Sequence, residues 1–177
     1  MKNIDDLVNQ SLNLYKEKNF NDAIKTLESI DVKNDYRKYF LLGTIYTSLK
    51  KIDLAEKNLV LADKINPNNP SISHNLGTLM AIKGNFGSAK NFYLKAININ
   101  KNVDSMSEMG RLLEDEKNFI EAQKYFEMAL EQDKNHKITN LRIGNMYLKM
   151  NEYKKGLMYI KQATGFIRFS DEGFEVI

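Results

Sequence analysis

The sequence predicts an all-α protein, a solenoid of five helix-turn-helix repeats closed by a short C-terminal capping hairpin or strap. Three observations carry that prediction. A pattern returns about every 34 residues, small residues keep their register through it, and apolar residues fall at helical steps of three and four.

The period is read from four parallel series. A small residue recurs at Ser11, Gly43, Gly77, Gly110 and Gly144, in successive steps of 32, 34, 33 and 34 residues. Ala23, Ala55, Ala89, Ala122 and Gly156 follow that series by 12 residues each time. Ile30, Ala62, Ala96, Ala129 and Ala163 form a third series. Phe20, Ile52, Phe86, Phe119 and Tyr153 form a fourth, three residues before the second. Four series in register mark a stacked array, in which each unit buries a face it cannot bury alone. The stretch from Pro70 to Asn102 shows the unit most clearly. Leu76, Gly77 and Met80 mark the inner face of its first helix, and Phe86, Ala89, Tyr93 and Ala96 that of its second, around a Gly84-Asn85-Phe86 turn. Helices below about 12–15 residues are marginal alone in water, so each pair must pack on its neighbours.

Glycine inside a helix costs about 1 kcal/mol against alanine, so four at one repeat position need a packing reason. Gly43, Gly77, Gly110 and Gly144 are expected at a close helix crossing, faced by Ala55, Ala89 and Ala122 from the second helix. Leu42, Tyr46, Leu59, Tyr93, Phe126 and Tyr147 fill the space between units. The pattern Leu42-Gly43-x-x-Tyr46, then Ala55, Leu59, Ala62 and Pro67, resembles the tetratricopeptide repeat. Leu76-Gly77, Met109-Gly110 and Ile143-Gly144 continue it. Ser11 replaces glycine in the first unit, Gly156 replaces alanine in the last, and only Pro67 keeps the terminal proline. The resemblance covers about residues 4–164 and implies a right-handed α-solenoid that works by binding protein or peptide. It places repeats at about 4–35, 36–69, 70–102, 103–136 and 137–165, leaving 166–177 as a cap or the start of a further segment.

The elements follow in order. Asn3 can cap the first helix, with Asp5 and Asp6 in its first turn, where the helix dipole favours anions. That helix runs to about Lys18, and its partner from about Phe20 to Ile30. The link from Asp31 to Asp35 is two residues short of the norm. The second repeat holds Tyr39, Leu42, Gly43 and Tyr46 in its first helix, and its second helix ends at Ile65. Asn69 as cap with Pro70 at the first helical position is a well-formed start. Met106, Met109 and Leu113 point inward in repeat four, against Phe119, Ala122, Phe126 and Ala129. Ile143 and Tyr147 do so in repeat five, with Tyr153, Ile160 and Ala163. After Thr164-Gly165, Ile167, Phe169, Phe174 and Val176 alternate around Ser170-Asp171-Glu172-Gly173, a hairpin signal. No linker divides the repeats, so one domain is expected.

Composition narrows the function. Net charge is +3, with Lys and Arg interleaved with Asp and Glu, which does not indicate a nucleic-acid surface. There is no cysteine, hence no disulfide or thiolate metal site. The start, MKNIDDLVNQSL, lacks the apolar run of a signal peptide, and no stretch approaches 20 apolar residues, so a cytoplasmic protein off the membrane is expected. His74 and His136 fall at different repeat positions and read as surface imidazoles. Glu108, Glu114, Asp115 and Glu116 read as solvated charges, and Gly84 to Lys90 lacks phosphate-loop spacing. No catalysis, metal or cofactor is expected.

A binding surface remains. The first helices are expected to line a concave groove, with Phe40, Leu41, Thr44, His74, Asn75, Thr78, Asp104, Glu108, Arg111, Arg142, Asn145 and Lys149 facing a protein or peptide ligand. Asparagine amides suit an extended peptide backbone. Phe40 and Leu41 suggest an apolar end, repeat four an acidic patch and repeat five a basic one. Asn75 and Arg142 sit where the family's chaperone-binding members hold a terminal carboxylate, but the accompanying lysines are absent and acids intervene. Two other readings stay open: a targeting module of a larger enzyme of glycosyltransferase or oxygenase type, and weak self-association through stacked terminal repeats.

Overall fold

The structure, a computed structural model, describes residues 3–31, 34–165, 167–170 and 173–176, the last two segments by backbone alone. The chain divides into two compact units, Met1–Phe92 and Tyr93–Ile177.

The first unit contains α1 (Ile4–Lys16), α2 (Phe20–Glu28), α3 (Tyr36–Ser48), α4 (Ile52–Ile65), α5 (Pro70–Ile82) and the start of α6 (Phe86–Asn100). Helices α1, α3 and α5 begin where side chains satisfy free N–H groups. Asn3 accepts from the Asp5 amide, Asp35 from that of Arg37, and Asn69 from those of Ser71 and Ile72 behind Pro70. Helix α2 folds back on α1 and α4 on α3, while α1 lies beside α3 and α3 beside α5. Leu27, Leu42 and Ile45 belong to one core cluster; Leu59, Ile72 and Leu76 belong to a second.

The second unit contains the rest of α6, then α7 (Val103–Asp115), α8 (Phe119–Gln132), α9 (Lys137–Lys149) and α10 (Tyr153–Thr164). Asn102 caps α7 by accepting from the Ser105 amide. Helix α8 packs on α7 and α10 on α9, with α7 beside α9. After Gly165, whose φ of 86° ends α10, come β1 (Ile167–Ser170) and β2 (Gly173–Val176), paired antiparallel with Phe169 opposite Phe174. Both strands touch α10. Ser170 pairs with Gly173, so the expected turn residues are Asp171 and Glu172, which lie outside the described residues. The capping role expected of the hairpin rests on side chains that also lie outside them.

The tight turns of all five hairpins share one construction. Lys18, Lys50, Gly84, Lys117 and Asn151 adopt φ of 60°, 57°, 76°, 62° and 63°. The next residue donates its N–H five positions back: Asn19 to Leu14, Lys51 to Tyr46, Asn85 to Met80, Asn118 to Leu113 and Glu152 to Tyr147, at 2.8–2.9 Å. This is the long bond of a Schellman motif, and it satisfies a carbonyl at each helix end. Glycine takes the left-handed position only at Gly84.

The small-residue series marks a close approach, and a large side chain of the second helix fills it. A Cβ added to Gly43 would lie 2.6 Å from Leu59 Cγ, one on Gly110 2.6 Å from Phe126 Cε1, and one on Gly144 2.7 Å from Ile160 Cγ1. The notch therefore holds the large residue one turn beyond Ala55 or Ala122, because a helix-sized crossing leaves room for one bulky side chain if the other helix offers none. In the first repeat Ser11 is fully buried and its hydroxyl donates to the Ala23 carbonyl at 3.0 Å. Phe86, expected on an inner face, is half exposed because it opens α6 at the rim of its turn.

Candidate binding faces

In the first unit, α3 and α5 bring Phe40, Thr44, His74, Asn75 and Thr78 to neighbouring turns. The Asn75 amide donates to Thr44 Oγ1 at 2.8 Å, while that hydroxyl donates to the Phe40 carbonyl. Asn75 thus ties one first helix to the next and commits a group that sequence reasoning assigned to a ligand. Phe40 is half-buried against both cores. Leu41 is a correction: it is only 7% exposed and packs in the core with Leu42 and Ile45, so it offers no apolar end to a groove. A residue on this turn faces the neighbouring first helix, which a single-helix pattern does not show. His74 and Thr78 are half-buried on α5.

In the second unit, the acidic and basic patches expected on separate repeats pair with each other. Arg142 on α9 donates to Ser107 Oγ at 2.9 Å and to Glu108 on α7. Glu108 also accepts from Arg111 at 2.8 Å, and Arg111 donates to Asp115 at 2.8 Å. Lys149 reaches Glu114 at 2.7 Å. Burial pushes the Glu108 carboxyl up, but hydrogen bonds and charge from Arg111 and Arg142 outweigh it and hold it below the ordinary carboxylate range. Burial likewise pulls Arg111 down, and its bond to Glu108 more than reverses that. The hydrogen bond from Lys149 to Glu114 raises the lysine. Asp104 and Asn145 remain exposed.

His136 is not the surface imidazole expected. Its side chain is 19% exposed, stands at the start of α9, and lies 2.7 Å from Thr139 Oγ1 and 3.2 Å from Asp104. Ser107, which falls at a concave-face position of repeat four, is buried and accepts the bond from Arg142 instead of meeting solvent. Among the described residues no group of three or more His, Asp or Glu side chains could hold a metal ion. Among the described residues no helix is long and apolar enough to cross a membrane.

The tetratricopeptide repeat model matches residues 36–69, 70–103 and 103–136, more than half of the chain. The chain belongs to the tetratricopeptide repeat family. The hairpins α1–α2 and α9–α10 lie outside the matched residues but repeat the same turn and keep a buried small residue, Ser11 or Gly144, in the first helix. This tetratricopeptide repeat chain is 28% identical over 131 residues to the anaphase-promoting complex subunit CDC16 of Saccharomyces cerevisiae. The match covers 69% of the chain but only 16% of that protein. Among solved structures, PilF of Pseudomonas aeruginosa superposes with a TM-score of 0.81 at 18% identity, over 91% of this chain and 75% of its own. MamA gives a TM-score of 0.70 at 16% identity, over 92% and 94%. At such identities the likeness concerns the fold, and the fold is the all-α solenoid of helical repeats, an architecture of protein-interaction scaffolds.

Proposed function

We propose that the chain is a non-catalytic scaffold that binds protein or peptide on the faces of its first helices. One observation carries this reading: consecutive first helices lie side by side and are locked by side-chain hydrogen bonds, Asn75 to Thr44 in one unit and Arg142 to Ser107 in the other. Such locking pre-organises a polar surface, so a ligand does not have to order it on binding. Family membership supports the same reading. In the first unit the face comprises Phe40, Thr44, His74, Asn75 and Thr78. In the second it comprises Asp104, Glu108, Arg111, Arg142, Asn145 and Lys149. There Asp104, although beside His136, and Asn145 are exposed polar groups, suited to a basic side chain and a peptide main chain. The reading includes a cytoplasmic location, for which the cysteine-free sequence is the support.

The test is capture of a partner from an extract by the full chain, identification by mass spectrometry, and recapture by Asp104→Lys and Asn145→Glu. Both residues are exposed, so the fold should survive. Reduced retention is expected; full retention by both variants would move the site off these faces.

A further inference from the structure

A groove of about 490 Å³ opens between the second helices α8 and α10, and none of its lining residues belongs to the faces above. Its floor is apolar. Leu130 comes from α8, Met158 and Tyr159 from α10, and Met158 is 57% exposed. The wall is rigid, because the Tyr159 ring stacks on that of Tyr147, 5.7 Å away at 9°, and Tyr147 is part of the core. The rim is acidic. Glu127 and Glu131 stand one helical turn apart on α8, opposed by Lys134 alone among the charged lining residues. Glu127 accepts from Gln123 at 2.7 Å, while Glu131 is exposed and makes no hydrogen bond or ion pair among the described residues. Glu127 is close enough to Tyr159 that, after burial, its charge is the next force raising the tyrosine hydroxyl.

An apolar floor, an aromatic wall and two carboxylates at one edge match a side chain with a hydrocarbon stem and a cationic head. Arginine and lysine lay such stems along apolar surface, and their heads gain from both carboxylates and ring faces. The groove is too large for one such side chain and the carboxylates are one turn apart, which suits a helix. The acidic rim also disfavours an anionic lipid surface.

We propose that this groove docks a basic amphipathic helical segment of a partner protein. An apolar side chain lies over Leu130 and Met158, and an arginine or lysine one helical turn away meets Glu127 and Glu131. This site is separate from the first-helix faces and does not depend on them.

The test is titration of the ¹⁵N-labelled full chain with two blocked helical peptides on an alanine–glutamine background. One carries leucine and arginine one turn apart; the other has glutamate in place of that arginine. The arginine peptide should shift amides of α8 and α10 around Glu131 and Met158, and bind at least tenfold more tightly than the glutamate peptide. Glu131→Lys, a change at an exposed and unpaired residue, should weaken the arginine peptide about tenfold and erase the preference. Equal binding of the two peptides would overturn the proposal, as would no shift at millimolar peptide. Shifts confined to α7 and α9 would overturn it too, while favouring the first-helix faces.

Discussion

Arg142 of α9 and Glu108 of α7 form an ion pair in which each side chain is only 22% exposed, so one contact joins two consecutive first helices. Arg111 holds the other carboxylate oxygen of Glu108. One carboxylate therefore separates two guanidinium groups that would otherwise share a partly buried site.

Replacing Glu108 by alanine should destabilise the fold. Breaking a fully buried pair costs about 3–5 kcal/mol and an exposed one at most about 1, so this half-buried site should lose about 1–3 kcal/mol. In a chain of this size each kcal/mol moves Tm by about 2–4 °C. Glu108→Lys should lose more, because three cations would then meet. Melting curves followed by circular dichroism check this; a variant that melts with the parent would contradict the pairing.

Acid should expose the same interaction. The Glu108 carboxyl lies below its ordinary value of 4.5, and that of Asp35 below 3.8, the latter chiefly through its hydrogen bond from Arg37. Both bind a proton less readily when folded than when unfolded. Their stabilisation is therefore complete above the unfolded values and disappears as pH falls through the lower folded ones. Tm should be insensitive to these two groups above about pH 5.5 and fall below about pH 4.5, and Glu108→Gln should flatten part of that fall. A parent and a Glu108→Gln variant with the same acid profile would contradict the assignment.

Gly110 and Phe126 should behave as a coupled pair. Gly110→Leu overfills the notch occupied by the Phe126 ring and should cost about 1–3 kcal/mol or more. Trimming the ring with Phe126→Leu should soften the effect of Gly110→Ala, so the double variant should be more stable than the two single losses predict. Additive losses would place the glycine elsewhere.

Most of the fold could be read from the sequence, because a helical stripe records which way a residue faces within its own helix. The Ala23 and Ile30 series, the cap at Asn69-Pro70 and the Gly84 turn are of this kind. What lies opposite a residue on the next helix is not recorded there. Leu41 and Glu108 both occupy the turn before their repeat's glycine, yet one fills a core and the other pairs with Arg142. Charges that look solvated along one helix, as in Glu114, meet a partner about 35 residues away.

The turn at Lys117 offers a test with opposite signs. A left-handed residue other than glycine costs roughly 1 kcal/mol, so Lys117→Gly should raise stability by up to about that amount. Lys124→Gly, within α8, should lower it by about 1 kcal/mol. Chemical denaturation of the two variants separates them; equal effects would contradict the repeated Schellman turn.

Binding on the first-helix faces is tested most directly by hydrogen–deuterium exchange of the full chain with and without a captured partner. Protection should appear in α3 and α5, in α7 and α9, or in both pairs. Protection confined to the second helices α2, α4, α6, α8 and α10, with the first helices unchanged, would contradict it.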